Sequence, residues 1–187
     1  MIVTNGRGCD MMTDIVLRCA MQRDAEALST FAAGLFRETY AADTAASDLA
    51  DYIAGNFGSE RQRAEIVDPR GVVLLAVKAG DQDAILGYAH LVMLAPGEAL
   101  LNRLYVDAGC RGTGLAGRLL DALRGECRQR GAAGLRLTVF EKNARAIAFY
   151  RRSGFADVGT IDFTVGEDVQ RDIEMLLPIE VGPAALT

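Results

Sequence analysis

A short glycine-rich segment in the second half of the sequence has the composition of an anion-binding turn. It follows a predicted strand that ends at Leu104-Tyr105-Val106 and leads into a predicted helix. Backbone N–H groups at a helix N-terminus lack intrahelical partners and carry the positive end of the helix dipole, so they attract anions. Glycines without a Cβ let a ligand approach this backbone closely. The anion site would be formed by Arg111, Gly112, Thr113, Gly114, Leu115, Ala116 and Gly117, and Arg118 would add charge.

The same segment also fits a dinucleotide-binding fingerprint. Residues 112–117 satisfy the pattern GxGxxG, and Glu141 ends the next predicted strand, near where a dinucleotide fold places its ribose-binding acid. Against this interpretation, the segment follows several strands that lack crossover helices, its preceding loop is long and carries Arg111, and no second βαβ half follows. From the turn alone, a ligand site and an unliganded glycine-rich helix start are about equally consistent with the sequence.

A second group of chemically capable residues follows the next predicted strand. Asn143 begins a short predicted helix, where its side chain can cap the helix and also offer an amide to a ligand. Tyr150 lies about two turns further along, and a phenol there can donate a proton to a leaving thiolate. Taken alone, Tyr150 would be interpreted as a core aromatic residue. Together with the turn at Arg111, the two positions favour a ligand site with a proton donor.

These residues are positioned by a predicted mixed α/β domain, with an antiparallel front half and a βαβ unit behind it. Hydrophobic spacing and turn residues predict strands at 15–18, 72–77, 85–93, 100–106, 135–140, 155–165 and 170–177. They predict helices at 24–40, 46–57, 112–130 and 143–152. We expect one domain at residues 15–178, a loosely ordered N-terminal extension at 1–14 and a C-terminal tail at 179–187.

Composition excludes several classes of function. The chain has 187 residues, of which 50% are hydrophobic and 24% charged, and a formal net charge of -5. This charge argues against nucleic acid as the main partner, and no apolar run reaches the roughly 18 residues of a membrane span. A structural metal site is not expected, because the chain has one histidine and no CxxC pair. We expect a cytoplasmic protein with free thiols at Cys9, Cys19, Cys110 and Cys127.

Together, the motifs resemble the GCN5-related N-acetyltransferase (GNAT) superfamily. The resemblance rests on Leu104-Tyr105-Val106, on Arg111-x-x-Gly114-x-Ala116, and on Asn143 with Phe149-Tyr150 and Gly154-Phe155. It implies the GNAT fold, a mixed central sheet flanked by helices, in which a splayed parallel pair of strands opens beside a pyrophosphate-binding helix. More loosely, Phe36-Arg37-Glu38-Thr39-Tyr40, Leu104-Tyr105-Val106 and the segment 163–175 resemble a bacterial branch that includes PaiA-like polyamine (spermidine/spermine) acetyltransferases.

The resemblance also implies roles for the site residues. Acetyl-CoA, the co-substrate, would lie between the splayed strands, with backbone groups near Leu104, Tyr105 and Val106 on its pantetheine arm. The N–H groups of residues 111–117 would hold the pyrophosphate, and Asn143 would contact the pantetheine region. A primary amine of a small molecule, including polyamine-like amines, would attack the thioester directly, with Tyr150 as the general acid for the thiolate. Homodimers are common among such folds by analogy only.

The sequence leaves the proton acceptor open. A primary amine is protonated at neutral pH, so a base or a water chain must remove a proton. Many family members carry a glutamate early in the strand before the turn, but this stretch reads Leu100-Leu101-Asn102. The remaining candidates are Glu98, Glu38 and Asp162, and a water relay is equally consistent. His90 is interpreted as a structural residue that shares one strand face with Tyr88 and Val92.

A second class of function is consistent with the same motifs. A non-catalytic domain that binds or senses acyl-CoA would keep the turn at Arg111 and the cofactor cavity. The two hypotheses differ at Tyr150, which is required for turnover in an acetyltransferase and dispensable in a sensor.

Overall fold

The computed structural model describes residues 14–42, 44–95, 97–165 and 168–180. In these ranges the strands are β1 Ile15–Cys19, β2 Gly71–Lys78, β3 Asp81–Ala95, β4 Glu98–Val106, β5 Gly134–Phe140, β6 Ala156–Val165 and β7 Asp168–Pro178. The helices are α1 Ala25–Tyr40, α2 Ala46–Phe57, α3 Ser59–Val67, α4 Leu115–Gln129 and α5 Ala144–Arg152. The predicted N-terminal extension, apart from Asp14, and the tail beyond Glu180 lie outside the described residues.

All seven strands form one sheet, in the order β1-β2-β3-β4-β5-β7-β6. Neighbouring strands are antiparallel except for β4 and β5, which are parallel. This confirms the predicted fold class, a mixed α/β sheet with an antiparallel front half and one parallel pair. It also excludes the doubly wound parallel sheet that the dinucleotide interpretation of residues 112–117 would require.

The parallel pair is splayed, as predicted. β4 and β5 pair only at Glu98–Gly134, Ala99–Leu135 and Leu100–Arg136. On the other side of β4, Leu91 pairs with Leu101 whereas His90 pairs with Arg103, so the ladder has a bulge at Asn102. A bulge bends its strand and increases the local twist, so β4 turns away from β5 and a gap opens between their C-terminal ends.

The sheet buries an apolar core on each face, because alternate side chains of a strand point to opposite faces. One core lies under α4 and α5 and contains Leu119, Leu123, Leu137, Ile147 and Met175. The other lies under α1, α2 and α3 and contains Leu28, Phe36, Phe57, Leu75 and Tyr88. The gap between β4 and β5 therefore lies between two helical layers.

One helix was not predicted, and another begins three residues later than predicted. Helix α3 was not predicted, since its buried positions are the polar residues Gln62 and Glu65 and its sequence lacks an apolar stripe. Helix α4 begins at Leu115 and not at Gly112, because Gly112 and Gly114 adopt φ angles of 80° and 88°. These left-handed conformations form a turn before the helix, and glycine adopts them without strain.

Candidate functional site

The turn before α4 presents free backbone donors to an open space. The first bond within the helix runs from the N–H of Arg118 to the carbonyl of Gly114 at 3.1 Å, so the N–H groups of residues 114–117 have no acceptor inside the helix. A Cβ added at Gly112 or Gly117 would meet no heavy atom within 4 Å. Free N–H groups at a helix start, with open space in front of them, form a cradle that can bind an anion.

Side chains around the turn fix its shape. The carboxylate of Asp107 accepts the N–H of Gly109 at 2.8 Å, and the hydroxyl of Thr113 donates to the carbonyl of Cys110 at 2.7 Å. Arg111 pairs with Glu38 of α1, with 3.2 Å between Nη2 and Oε2. The turn is therefore linked to the C-terminal end of α1.

Arg118 has a structural contact in addition to the charge expected of it. Its Nη2 donates to the carbonyl of Ile15 in β1 at 2.9 Å. This side chain anchors α4 to the edge of the sheet, whereas Arg111, Arg145 and Arg152 line the space in front of the turn.

A cavity of about 370 Å³ extends from the turn to α5 and the end of β4. The predicted cofactor residues that line it are Leu104, Tyr105, Val106, Arg111, Gly112, Gly114, Leu115, Ala116, Gly117 and Asn143. Thr113 belongs to the turn, but its side chain is engaged by Cys110. Lining residues outside the predicted cofactor set are Thr39, Cys110, Arg145, Ala146, Phe149, Tyr150 and Arg152. The structure thus brings the two predicted groups of residues together around one space.

A second cavity of about 450 Å³ adjoins the first, and the two share Thr39, Arg111, Asn143 and Arg145. It is also lined by Glu38, Phe140 and Lys142. Three cationic side chains, those of Arg111, Lys142 and Arg145, therefore border it, and this end of the site favours a ligand that carries several negative charges.

Asn143 caps its helix, as its position predicted. Its side-chain oxygen accepts the N–H of Ala146 at 3.1 Å and so caps α5. The side chain also lines both cavities. Because the oxygen holds the helix, the amide NH₂ is the group that can donate to a ligand.

Tyr150 lies where the apolar core meets the cavity. Its side chain is 9% exposed, and its ring packs edge-on against Phe149 and Phe155 with centroids 5.3 Å and 5.5 Å apart. Burial raises the pKa of the Tyr150 phenol, so the hydroxyl keeps its proton at neutral pH. Tyr150 is therefore both a core residue and a protonated group that borders the cavity.

The end of β4 provides an unpaired strand edge. β3 pairs with one edge of β4 up to Val106, but within the described ranges no strand pairs with the opposite edge beyond Leu100. Backbone donors and acceptors near Leu104 and Val106 are thus available to an extended ligand that lies in the gap. The ring of Tyr105 is fixed beside them by stacking on Tyr88, with 5.7 Å between centroids.

The carboxylates considered from the sequence as proton acceptors lie at the surface. Glu98 is about half exposed and lies 3.5 Å from Arg136 at the closed end of the splay. Glu38 is 57% exposed and pairs with Arg111. Asp162 is exposed on the edge strand β6. Among the three, only Glu38 lines a cavity described above.

His90 has the structural environment that was expected of it. It is buried, and its Nδ1 lies 3.0 Å from the amide nitrogen of Asn102 and 3.5 Å from Glu65. Burial lowers the pKa of His90 to about 4, so the ring is neutral at pH 7. Glu65 also receives hydrogen bonds from Arg103 and Arg61, which makes this a satisfied polar network beneath α3.

Asp172 of β7 is the carboxylate that sequence reasoning did not single out. It is 5% exposed, and its Oδ1 has no hydrogen-bond partner in the described part of the chain. Burial raises its pKa, while a hydrogen bond from Thr138 acts in the opposite direction. The sequence gives no signal for this burial. Polar Asp172 precedes apolar Ile173, and in such an alternation along a strand the polar residue is usually exposed to solvent.

The described ranges lack two kinds of feature. None of the helices there combines the length and apolar character needed to cross a membrane. Nor do His, Cys, Asp and Glu side chains cluster there in threes that could hold a metal ion.

Comparison with known proteins identifies relatives of the whole domain. The profile described as "Acetyltransferase (GNAT) family" matches residues 36–155. Uncharacterized N-acetyltransferases from Mycobacterium bovis and Mycobacterium tuberculosis are each 32% identical over 153 residues, which is 82% of this chain and 96% of each relative.

Solved structures share the fold. The PaiA N-acetyltransferase of Thermoplasma acidophilum, solved in complex with coenzyme A, aligns with a TM-score of 0.75 and 23% identity over 88% of this chain and 98% of that chain. The ribosomal-protein-S18-alanine N-acetyltransferase of Escherichia coli aligns with a TM-score of 0.62 and 21% identity over 92% and 99% of the two chains. At these identities the likeness shows the fold alone. The profile match and the mycobacterial relatives show more: the chain belongs to the GNAT family of acetyltransferases.

Proposed function

We propose that this protein is an N-acetyltransferase that transfers the acetyl group of acetyl-CoA to a primary amine of a small molecule. The observation that carries the proposal is the placement of three features around one cavity of about 370 Å³. They are the free N–H groups of residues 114–117, the unpaired edge of β4 and the buried phenol of Tyr150. Family membership supports acyl transfer as the reaction class.

The chemistry of acetyl-CoA fits the lining group by group. The pyrophosphate suits the cradle of N–H groups and the guanidinium of Arg111. The two amides of the pantetheine arm suit the strand edge at Leu104 and Val106, where backbone groups alternate as donors and acceptors. Arg145 and Arg152, which line the same cavity, suit the additional phosphate on the ribose.

Within this arrangement the residues of the chain have distinct tasks. The cradle and the strand edge hold the thioester in the gap between β4 and β5, and a backbone N–H of β4 stabilises the charge that develops on its oxygen. The amine attacks the thioester carbonyl directly. Tyr150 gives its proton to the departing sulfur, and burial keeps that proton available by raising the pKa of the phenol.

One observation favours a second candidate, a domain that binds acyl-CoA without turning it over. The stretch Leu100-Leu101-Asn102 of β4, which ends at the bulge, carries no carboxylate. A binding domain would retain the cradle and the strand edge but would not need an acceptor site or the phenol of Tyr150.

The experiment that separates the two candidates measures thiol release from acetyl-CoA in the presence of a panel of amines. The panel contains polyamines, aminoglycosides and peptides with free N-termini, and each acceptor is compared with the rate of hydrolysis without acceptor. Acceptor-dependent release is expected from at least one class of amine. Binding of acetyl-CoA without release above background for any acceptor would favour the binding domain.

A further inference from the structure

We infer that Asp172 receives the ammonium group of the acceptor, at an acceptor site framed by Tyr40, Tyr52 and Phe140. The inference rests on the proposed function and supplies the proton acceptor that the stretch Leu100-Leu101-Asn102 of β4 lacks. It concerns the sheet face beneath α1 and α2, opposite the face that packs against α4.

The register of the sheet places Asp172 on this face. It lies directly opposite Phe140 in the β5–β7 ladder and directly opposite Ile161 in the β6–β7 ladder. Residues opposite one another in antiparallel strands project to the same face. The ring of Phe140 packs against Tyr40 of α1, with 5.7 Å between centroids, so the face carrying Asp172 is the one that α1 covers.

The carboxylate of Asp172 is unusually short of partners. It is 5% exposed, Oδ1 accepts no hydrogen bond, and the hydroxyl of Thr138 is the group that bonds to the side chain. Within the described ranges it has no salt bridge, and the other charge that acts on it, Glu141, is also negative. A buried charge is unfavourable unless it is paired, so the position is suited to a cation supplied by a ligand.

Aromatic rings lie near this negative charge: Phe140 is directly opposite Asp172, and its ring centroid lies 5.7 Å from that of Tyr40. The electrostatic field of Asp172 contributes to raising the pKa values of Tyr40, Tyr52 and Tyr105, although burial is the larger cause for each. These rings therefore lie within its reach. A carboxylate beside aromatic faces is a suitable environment for an alkylammonium group, because ring faces attract cations and the carboxylate accepts N–H bonds. Tyr105 also lines the cavity in front of the turn, which connects this environment with the donor site.

The acceptor has a route to Asp172 from the surface. Thr138, which bonds to Asp172, is exposed, and Ile161 on the other side of Asp172 is 53% exposed. The carboxylate thus lies at the boundary between the outer surface of β5, β7 and β6 and the tyrosine-lined interior.

Proton transfers and bond changes balance in the proposed reaction. Asp172 removes one proton from the alkylammonium, and the neutral amine forms a C–N bond to the acetyl carbonyl carbon. The C–S bond breaks and its electron pair leaves with the sulfur, which takes the proton of Tyr150. The nitrogen loses its second proton, which returns the phenol of Tyr150 to its neutral form. Asp172 then releases its proton to solvent, so the products are the amide, coenzyme A and one proton.

The test compares Asp172→Asn with Glu174→Gln. Glu174 lies two residues along β7 and pairs with Arg136 at 3.3 Å, so its substitution removes a carboxylate that already has a cationic partner. With an amine acceptor identified for the wild type, Asp172→Asn is expected to lower kcat/KM for that amine by about 100-fold or more. Its affinity for acetyl-CoA and its Tm should not fall, since the change removes an unpaired buried charge. Glu174→Gln should leave turnover unchanged.

A second variant keeps the carboxylate, so the inference can still be tested if Asp172→Asn does not fold. Thr138→Val removes the hydrogen bond that lowers the pKa of Asp172, so the acidic limb of the profile of kcat/KM against pH should move to higher pH. A merely structural role would not move this limb. Wild-type turnover retained by Asp172→Asn, or an unmoved limb in Thr138→Val, overturns this inference alone. No amine-dependent thiol release from the wild type overturns the proposed function as well.

Discussion

The side-chain oxygen of Asn143 accepts the N–H of Ala146 at 3.1 Å, while the same side chain borders both cavities. One polar group of this amide is therefore used to start α5, and the other, the NH₂ group, is left available to a ligand. The helix that it caps carries Tyr150, so the cap and the proposed proton donor belong to one rigid element. This relationship makes the two functions of Asn143 separable by mutation.

Asn143→Asp should separate them, because aspartate is as good a helix cap as asparagine but cannot donate. The free energy of unfolding should remain within a few tenths of a kcal/mol of wild type, while affinity for acetyl-CoA falls about tenfold or more. Asn143→Ala should lose both, with a cost of about 1 kcal/mol in stability. Urea denaturation and calorimetric titration measure the two effects. Wild-type affinity in Asn143→Asp would show that the amide does not contact the donor.

Gly117 tests whether the space in front of α4 belongs to a ligand. It lies in a helix, and an added Cβ would meet no atom within 4 Å, so Gly117→Ala should stabilise the fold by about 0.5–1 kcal/mol. Because Gly117 lines the cavity, the same methyl group should weaken acetyl-CoA binding. Gly125→Ala is the matched control, since Gly125 is also in α4 with open space around it. It should raise Tm and leave affinity unaltered; equal affinities in the two variants would contradict the placement of the ligand.

Tyr150→Phe should lower kcat by about 100-fold or more while affinity for acetyl-CoA stays near that of wild type. The reason is that the substitution removes the proton donor and keeps the ring that packs between Phe149 and Phe155. Tyr88→Phe provides the comparison. The hydroxyl of Tyr88 is buried without a hydrogen-bond partner in the described residues, so its removal should raise stability and not affect turnover. Steady-state kinetics on both variants decides the matter, and unchanged kcat in Tyr150→Phe would remove it as the acid.

Much of the site was predictable because local sequence determines it. The turn from Arg111 to Gly117 needs glycine where φ is positive, the cap at Asn143 precedes its helix directly, and the strand before the turn ends at Val106. Each of these features depends on neighbours in the chain. The sequence therefore predicted eleven of the seventeen residues that line the cavity of about 370 Å³.

The features that were missed depend on contacts between distant segments. Helix α3 buries Glu65, which is favourable because Arg103 of the distant strand β4 and Arg61 of the same helix pair with it. Its polar sequence alone is typical of a loop between elements. Asp172 is buried because β7 inserts between β5 and β6 and because α1 covers Phe140. The order of the last two strands in the sheet is set by packing, and no local pattern encodes it.

The buried ring of His90 should make the free energy of unfolding depend on pH. Burial lowers its pKa to about 4, from an unfolded value of about 6.5. Between these values the unfolded chain binds a proton that the folded protein does not, so stability falls as pH drops through this window. Burial outweighs the opposing attraction of carboxylates; the charged groups that act on His90 are Glu65, Asp68, Arg61 and Arg103.

The His90 contribution should amount to about 2 kcal/mol of lost stability between pH 7 and pH 5. A neutral replacement, His90→Gln, should flatten that part of the profile, because glutamine does not titrate. Urea denaturation of both proteins at the two pH values measures the difference. Equal slopes for wild type and His90→Gln would show that the ring is not held neutral by burial.

The most direct test of the central claim follows an isotopically labelled acetyl group. The wild-type protein is incubated with [¹³C]acetyl-CoA and the amine panel, and the products are analysed by mass spectrometry. We expect the label in an amide of at least one amine, formed in equal amount to coenzyme A, and the yield to fall in Tyr150→Phe. Label recovered only as acetate or as unreacted acetyl-CoA with every acceptor would contradict the account.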